Sequence, residues 1–282
     1  MPRPPLDGTV HLVTGASSGM GVDFARRSAA RAKAVVLVAR RVDRLQAVAA
    51  ELRTAHPSCT VVVEQCDLSD PAATDAMLAR VEAQVGTVDI LINNAGLGDF
   101  GCFDLAEWSK LELMLKVDIM ALTQLAHRVL PGMKRKGAGG ILNISSAFGL
   151  EWLPGFAGYT AAKHYVTALS DAMRLELSRD GIAITQLCPG PVATEFLAVA
   201  GNPIGVAPKW IFMESSRCVQ KGWDGFARGR AAVVPGISIK ILMLLGKLTP
   251  RWLKRWIYAP LASYVRKKEL AAKELAAKGA AA

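Results

Sequence analysis

The chain has 282 residues, 51% of them hydrophobic and 21% charged, which is enough apolar material for a large core and excludes an intrinsically disordered protein. The formal net charge of +10 suits an anionic ligand, an anionic membrane or nucleic acid, and it is unevenly placed: Lys221 to Lys268 holds eleven Lys or Arg against one acid, Asp224. The five cysteines, Cys59, Cys66, Cys102, Cys188 and Cys218, are odd in number and form no CxxC or Cys/His pattern, so a disulfide framework and a zinc site are not expected and a reducing compartment is.

The start, Met1-Pro-Arg-Pro-Pro5, lacks the apolar run of a secretory signal. No clean run of about 18 apolar residues would span a bilayer. The longest lipophilic stretch, Ala231 to Leu245, is interrupted by Pro235 and Lys240. A cytoplasmic protein is expected, with peripheral membrane contact left open.

From Thr9 onward, short apolar runs alternate with longer segments of helical period. The runs are Val10–Val13, Val35–Ala39, Thr60–Gln65, Asp89–Ile92, Ile141–Ile144, Ile182–Leu187 and Ala231–Val234. Helices fit between them over Asp43–Ala55, Pro71–Val85 and Tyr159–Arg179. This rhythm predicts a Rossmann-type α/β fold, a doubly wound parallel sheet of about seven strands with helices on both faces. After Pro189 the rhythm fails, and a loop with Gly201, Pro203, Gly205 and Pro208 leads into Trp210–Met213. The expected organisation is a cofactor-binding and catalytic domain over 1–238, including a helical substrate lid at about 195–230, and a basic amphipathic extension over 239–282. The extension ends in a repeat, Lys268-Glu-Leu-Ala-Ala and Lys273-Glu-Leu-Ala-Ala, whose pairs Glu269–Lys273 and Glu274–Lys278 predict a solvated, spacer-like helix.

Thr14-Gly-Ala-Ser-Ser-Gly-Met-Gly21 follows the first strand and places Gly15, Gly19 and Gly21 at a strand-to-helix turn. Such a turn lets the backbone approach a pyrophosphate, and the following helix N-terminus directs amide donors at it. The second strand ends in Ala39-Arg40-Arg41, with no carboxylate before Asp43. An acid there would bind the ribose 2′-hydroxyl of NAD, whereas a guanidinium accommodates a 2′-phosphate. NADP(H) is therefore the expected cofactor, with Arg40 the first choice of clamp and Arg41 beside it.

Tyr159 and Lys163 stand i,i+4 on one expected helix, so their side chains share a face. A phenol with a reference pKa of about 10 is a poor proton carrier near neutrality. A lysine ammonium ~4 Å from the phenolate contributes up to about 4 kcal/mol at an effective dielectric of 20, roughly three pKa units before desolvation is subtracted.

Gly15–Gly21, Asn93-Asn-Ala-Gly96 and Tyr159-Thr-Ala-Ala-Lys163 together resemble the short-chain dehydrogenase/reductase family, and the TGxxxGxG spacing is similar to its compact, single-domain branch. The resemblance covers roughly residues 8 to 195, and beyond that only Ala231–Pro235. It implies an NADP(H)-dependent oxidoreductase in which Tyr159 exchanges a proton with the substrate oxygen. It selects Ser146 over its neighbour Ser145 as the serine that holds this oxygen. It implies cofactor contacts at Ser17, Ser18 and Met20 in the turn, at Asp67 and Leu68, at Asn94, Ala95 and Gly96 after a supporting Asn93, and at Pro189, Gly190, Val192 and Thr194. The family usually has an asparagine where this chain has Asp118, in a role that relays protons from lysine to solvent. Either the backbone carbonyl carries that role and aspartate preserves it, or the amide does and turnover suffers.

Phe100, Phe148, Leu150, Trp152, Phe196, Leu197, Trp210 and Phe212 point to a bulky apolar, lipid- or steroid-like carbonyl or alcohol, or else fill the core or a subunit interface. Ile239–Tyr264 mixes apolar residues and tryptophans with lysine and arginine, which suits either an anionic membrane interface or packing against protein. No nucleic-acid reading motif accompanies the basic segment, and no nucleic-acid partner is expected. The resemblance implies a homodimer or homotetramer through helices at Ala106–Lys136 and Tyr159–Arg179. The alternative to an enzyme is a catalytically weak dinucleotide-sensing or scaffold protein, with Asp118 its one support.

Overall fold

The computed structural model describes residues 1–196, 200 and 212–280. Leu197, Trp210 and the loop positions Gly201, Pro203, Gly205 and Pro208 lie outside the described residues, as does the side chain of Lys278.

Valine, isoleucine and leucine dominate strands β1 (Val10–Thr14), β2 (Ala34–Ala39), β4 (Ile90–Asn93), β5 (Gly139–Ile144) and β6 (Ile182–Leu187), and every residue of the five is buried. A strand apolar on both faces needs a helix layer on each side, which is the environment of a parallel sheet. With β3 (Thr60–Gln65) and β9 (Ala232–Val233) they form a seven-stranded parallel sheet in the order β3-β2-β1-β4-β5-β6-β9. The order reverses between β1 and β4, and the crevice at the carboxyl ends of these strands is where such folds bind ligands.

The layers are set by helices α1 (Met20–Ala29), α2 (Val42–Ala55), α3 (Pro71–Val85), α4 (Trp108–Leu115), α5 (Leu122–Lys136) and α6 (Ala157–Glu176). One core packs Phe24, Leu45, Leu52 and Phe226 against the sheet, and the other packs Met77, Leu125, Met133 and Ile184 on its opposite face. Helix α3 starts where the sequence directs it: Pro71 stands at its first turn and Asp70 accepts from the amides of Ala72 and Ala73.

Three features depart from the pattern reading. The segment 106–136 is not one helix, because a π-helical stretch, Lys116–Ala121, separates α4 from α5 and turns Asp118 fully inward. The expected lid is divided: β7 (Val192–Ala193) pairs with β8 (Met213–Glu214), and α7 (Ser215–Ala227) buries Cys218, Val219, Trp223 and Phe226 as a sheet-covering helix. The C-terminal extension is two helices, α8 (Ile237–Leu248) and α9 (Arg251–Ala280), and α9 is bound to the body. Lys254 ion-pairs with Glu151 at 2.6 Å in a buried setting, and Arg266 meets Asp104 at 2.9 Å. Glu269 accepts from the Cys102 amide, and Lys273 donates to the Leu105 carbonyl. Through Glu269 and Lys273 the repeat therefore engages the 102–105 loop rather than standing free as a spacer.

Candidate active site

Strand β5 and helix α6 deliver the reactive groups. After Ile144 the chain leaves β5 through Ser145 and Ser146, whose side chains part company. The Ser145 hydroxyl donates to the Lys163 carbonyl at 3.1 Å and pairs with Thr167, which makes it a brace for α6. The Ser146 hydroxyl accepts from the Phe148 amide and faces the Tyr159 phenol. One turn along α6, the Lys163 ammonium lies 5.6 Å from the centre of the Tyr159 ring and donates to the Ile144 carbonyl at 3.2 Å. Ser146, Tyr159 and Lys163 thus converge, all nearly buried.

Asp118 joins them. Its carboxylate lies 2.8 Å from the Lys163 ammonium and accepts from the Leu97 amide at 2.7 Å. Gly96 lies against this pair, and a methyl group there would sit 3.4 Å from both Asp118 and Lys163. Burial pushes the Asp118 carboxyl above its ordinary range, against the pull of Lys163. Burial works to lower Lys163, but the facing Asp118 carboxylate and Tyr159 leave it raised. For Tyr159, burial raises the phenol, Lys163 lowers it, Asp118 raises it and Ser146 lowers it, with a net rise.

The glycine-rich turn lies beside this centre. Gly15 and Gly19 adopt φ of 65° and 54°, the left-handed region that glycine enters freely. A Cβ on Gly21 would lie 2.1 Å from the Gly15 carbonyl oxygen, so α1 meets the turn only because residue 21 has no side chain. Thr14, a residue of the motif whose role no sequence signal marks, accepts from the amides of Asn94 and Ala95, while the Asn94 side chain donates to the Thr14 and Gly15 carbonyls. Asn93 donates to Asn143 and to the Leu122 carbonyl, which makes it a sheet support. Thr194 sits over Gly19, and Val192 is buried in β7. The Pro189 carbonyl accepts from Ala147, and Gly190 lies under Ile239 of α8. Met20 opens α1, and Leu68 is buried behind Asp67, whose carboxylate accepts from the amide and hydroxyl of Ser69.

The two arginines divide. Arg41, the second choice, donates to Ser18 at 2.8 Å and to Ser17 at 3.3 Å, so its guanidinium lies on the glycine-rich turn. Arg40, the first choice, lies toward Asp67 and helps hold that carboxyl below its ordinary range, after the Ser69 amide. Glu195 bridges Arg41 and Arg44, at 3.2 and 2.7 Å, a contact without a local sequence signal.

Above Tyr159 stands an aromatic cluster. Phe100, Phe196 and Phe148 have ring centres 5.2, 5.9 and 6.3 Å from that of Tyr159, and Phe156, not foreseen from sequence, stacks on Phe148 at 4.8 Å. Trp152 packs instead against Tyr258 of α9, Leu150 is exposed and Phe212 is half-buried. Among the described residues, no group of three or more His, Cys, Asp or Glu could hold a metal ion.

The family described as short chain dehydrogenase matches residues 9–203. A glycine betaine reductase from Emericella nidulans is 32% identical over 200 residues, 71% of this chain, and the chain spans only 16% of that protein. A short-chain dehydrogenase from Sphingobium yanoikuyae in complex with NADPH is 35% identical, with a TM-score of 0.76 over 85% of this chain and 93% of that one. A bulky-bulky ketone specific alcohol dehydrogenase from Comamonas testosteroni is 28% identical, with a TM-score of 0.72 over 86% of this chain and 95% of that one.

Proposed function

We propose a reaction for a chain that belongs to the short-chain dehydrogenase/reductase family: NADP(H)-dependent reduction of a bulky apolar ketone or aldehyde to its alcohol, or the reverse oxidation. The observation that carries it is the buried convergence of Ser146, Tyr159 and Lys163 beneath four phenylalanines, beside the glycine-rich turn. The described residues fit a nicotinamide dinucleotide. The turn has left-handed glycines at Gly15 and Gly19, α1 packs close against it because Gly21 has no Cβ and points its N-terminus there, and Arg41 brings a positive charge. Such a cofactor, when bound, supplies or accepts the hydride.

The chain's own residues handle the proton. A carbonyl oxygen gaining negative charge accepts a hydrogen bond from Ser146 and takes the Tyr159 proton, so the new O–H bond forms as the phenol bond breaks. The phenolate left behind is held by the Lys163 ammonium and recovers a proton through it. Asp118 fixes that ammonium in place and draws on the same positive charge. In oxidation each of these proton transfers runs backward.

The preference for NADP(H) rests on Arg41, because a guanidinium makes charge-assisted bonds to the anionic 2′-phosphate, which are stronger than its hydrogen bond to the neutral 2′-hydroxyl of NAD(H). A 2′-phosphate would compete with Glu195 for Arg41 and Arg44. The apolar substrate rests on Phe100, Phe148, Phe156 and Phe196, and the bulky-ketone specificity of the Comamonas relative points the same way. The test is cofactor oxidation scanned over carbonyl compounds with NADPH and, as control, NADH. Bulky apolar ketones should be turned over with NADPH in preference to NADH, and Tyr159→Phe should lower turnover by about 10²- to 10⁴-fold while NADPH binding persists. Substantial turnover by that variant would sink the assignment.

A further inference from the structure

Helix α8 is out of keeping with its surroundings. Eight of its twelve residues, Ile237–Leu248, are Ile, Leu or Met, yet only Ile239 is buried. A helix this apolar is ordinarily covered on every side. At ~100° per residue, Ile239, Met243 and Gly246 fall on one face, and this face meets the body, where Ile239 lies against Gly190 and Gly246 against Glu151. Ile237, Ile241, Leu244 and Leu248 fall on the opposite face and point away from the protein, with Ile237 79% and Leu248 71% exposed.

Helix α9 repeats the arrangement. Lys254 and Val265 mark its buried side, and Trp252 and Trp256, one turn apart, project from the far side at 70% and 76% exposure. Exposed tryptophans suit an interface that is apolar on one side and wet on the other. The charge around them is of one sign. Residues 237–268 contain eight Lys or Arg and no Asp or Glu, set against a net charge of +10 for the whole chain. Lys254 and Arg266 are engaged by Glu151 and Asp104, whereas Lys240, Lys247, Arg251, Arg255, Lys267 and Lys268 have no acid partner among the described residues. An apolar face bordered by unpaired positive charge is complementary to acyl chains beneath anionic headgroups. No helix among the described residues is long and apolar enough to cross a membrane, so the contact is with a surface.

We propose that the outer face of α8 and the first turns of α9 dock this protein on an anionic lipid surface. The buried Lys254–Glu151 pair holds α9 to the body, and Ile239 seats α8 on Gly190, so docking brings the Gly190 side of the active-site cleft toward the bilayer.

Co-sedimentation of the full chain with vesicles of phosphatidylcholine alone, and of phosphatidylcholine mixed with phosphatidylglycerol, tests this without using turnover. The chain should bind the mixed vesicles at low salt, at least about tenfold more strongly than the neutral ones, and release them in high salt. Leu244→Gln with Trp256→Gln, both exposed, should lower binding at least about tenfold, and so should Lys247→Glu with Arg255→Glu. Thermal midpoint and NADPH affinity, measured on each variant, should be unchanged. Equal binding to both vesicle types, or binding to neither, would overturn the proposal. So would a Leu244→Gln, Trp256→Gln variant that keeps vesicle binding but dissociates into a smaller species on sizing, because the face would then belong to a second copy of the chain.

Discussion

Among the described residues, two buried lysine–carboxylate pairs have nearly the same length, Lys163–Asp118 at 2.8 Å and Lys254–Glu151 at 2.6 Å, and they serve different ends. Neighbours make the difference. Beside the first stands the Tyr159 phenol, whose proton affinity Lys163 lowers and Asp118 raises. Beside the second stands Tyr258, raised by burial and then by Glu151, on a helix that packs against Trp152. A buried ion pair offsets its own desolvation at best, so neither pair is a reservoir of stability. The first carries charge to a reacting atom, and the second fixes where α9 lies.

Removing the lysine from each pair should separate the two roles. Lys163→Met leaves the phenolate without its ammonium and should lower turnover by about 10²- to 10⁴-fold, measured as initial rate at saturating NADPH. Lys254→Met strands Glu151 in a buried setting and should cost about 3–5 kcal/mol of stability by denaturant unfolding, much of it returned when Glu151→Leu is added. Turnover per folded molecule should change far less in Lys254→Met than in Lys163→Met. Equal losses of turnover would mean that α9 takes part in the chemistry.

The sequence made the first pair's lysine legible and left the second pair hidden. Seven apolar runs gave the sheet, because strands buried on both faces write an unbroken signal into the chain, and Tyr159 and Lys163 stand at a helical spacing that any pattern reading detects. Ser146 was separable from Ser145 only through the family spacing, and the hydrogen bonds of Ser145 to Lys163 and Thr167 supply the physical reason. Glu151 and Lys254 lie 103 residues apart, and nothing local marks either as the other's partner. Arg40 and Arg41 are adjacent and chemically identical, so which one reaches Ser17 and Ser18 depends on where α2 begins. Phe156 carries no local signal, because its role arises from ring stacking across loops. The inward turn of Asp118 depends on a π-helical stretch that hydrophobic periodicity does not reveal.

Asp118 offers the finest test of the contrast, since its substitution changes charge with little change of shape. In Asp118→Asn the carboxylate that raises Tyr159 is gone, while Lys163 keeps the Ile144 carbonyl as a partner. The phenol should then give up its proton at lower pH. Carbonyl reduction needs the protonated phenol and falls as pH rises through its pKa, and alcohol oxidation needs the phenolate and rises there. The falling limb of reduction and the rising limb of oxidation should therefore both move to lower pH in this variant, in profiles of kcat recorded in each direction. The corresponding change at the second pair, Glu151→Gln, should leave both limbs where they were. A limb that stays fixed in Asp118→Asn would show that the carboxylate only positions Lys163, and a limb that moves to higher pH would show that Lys163 loses its charge when its partner does.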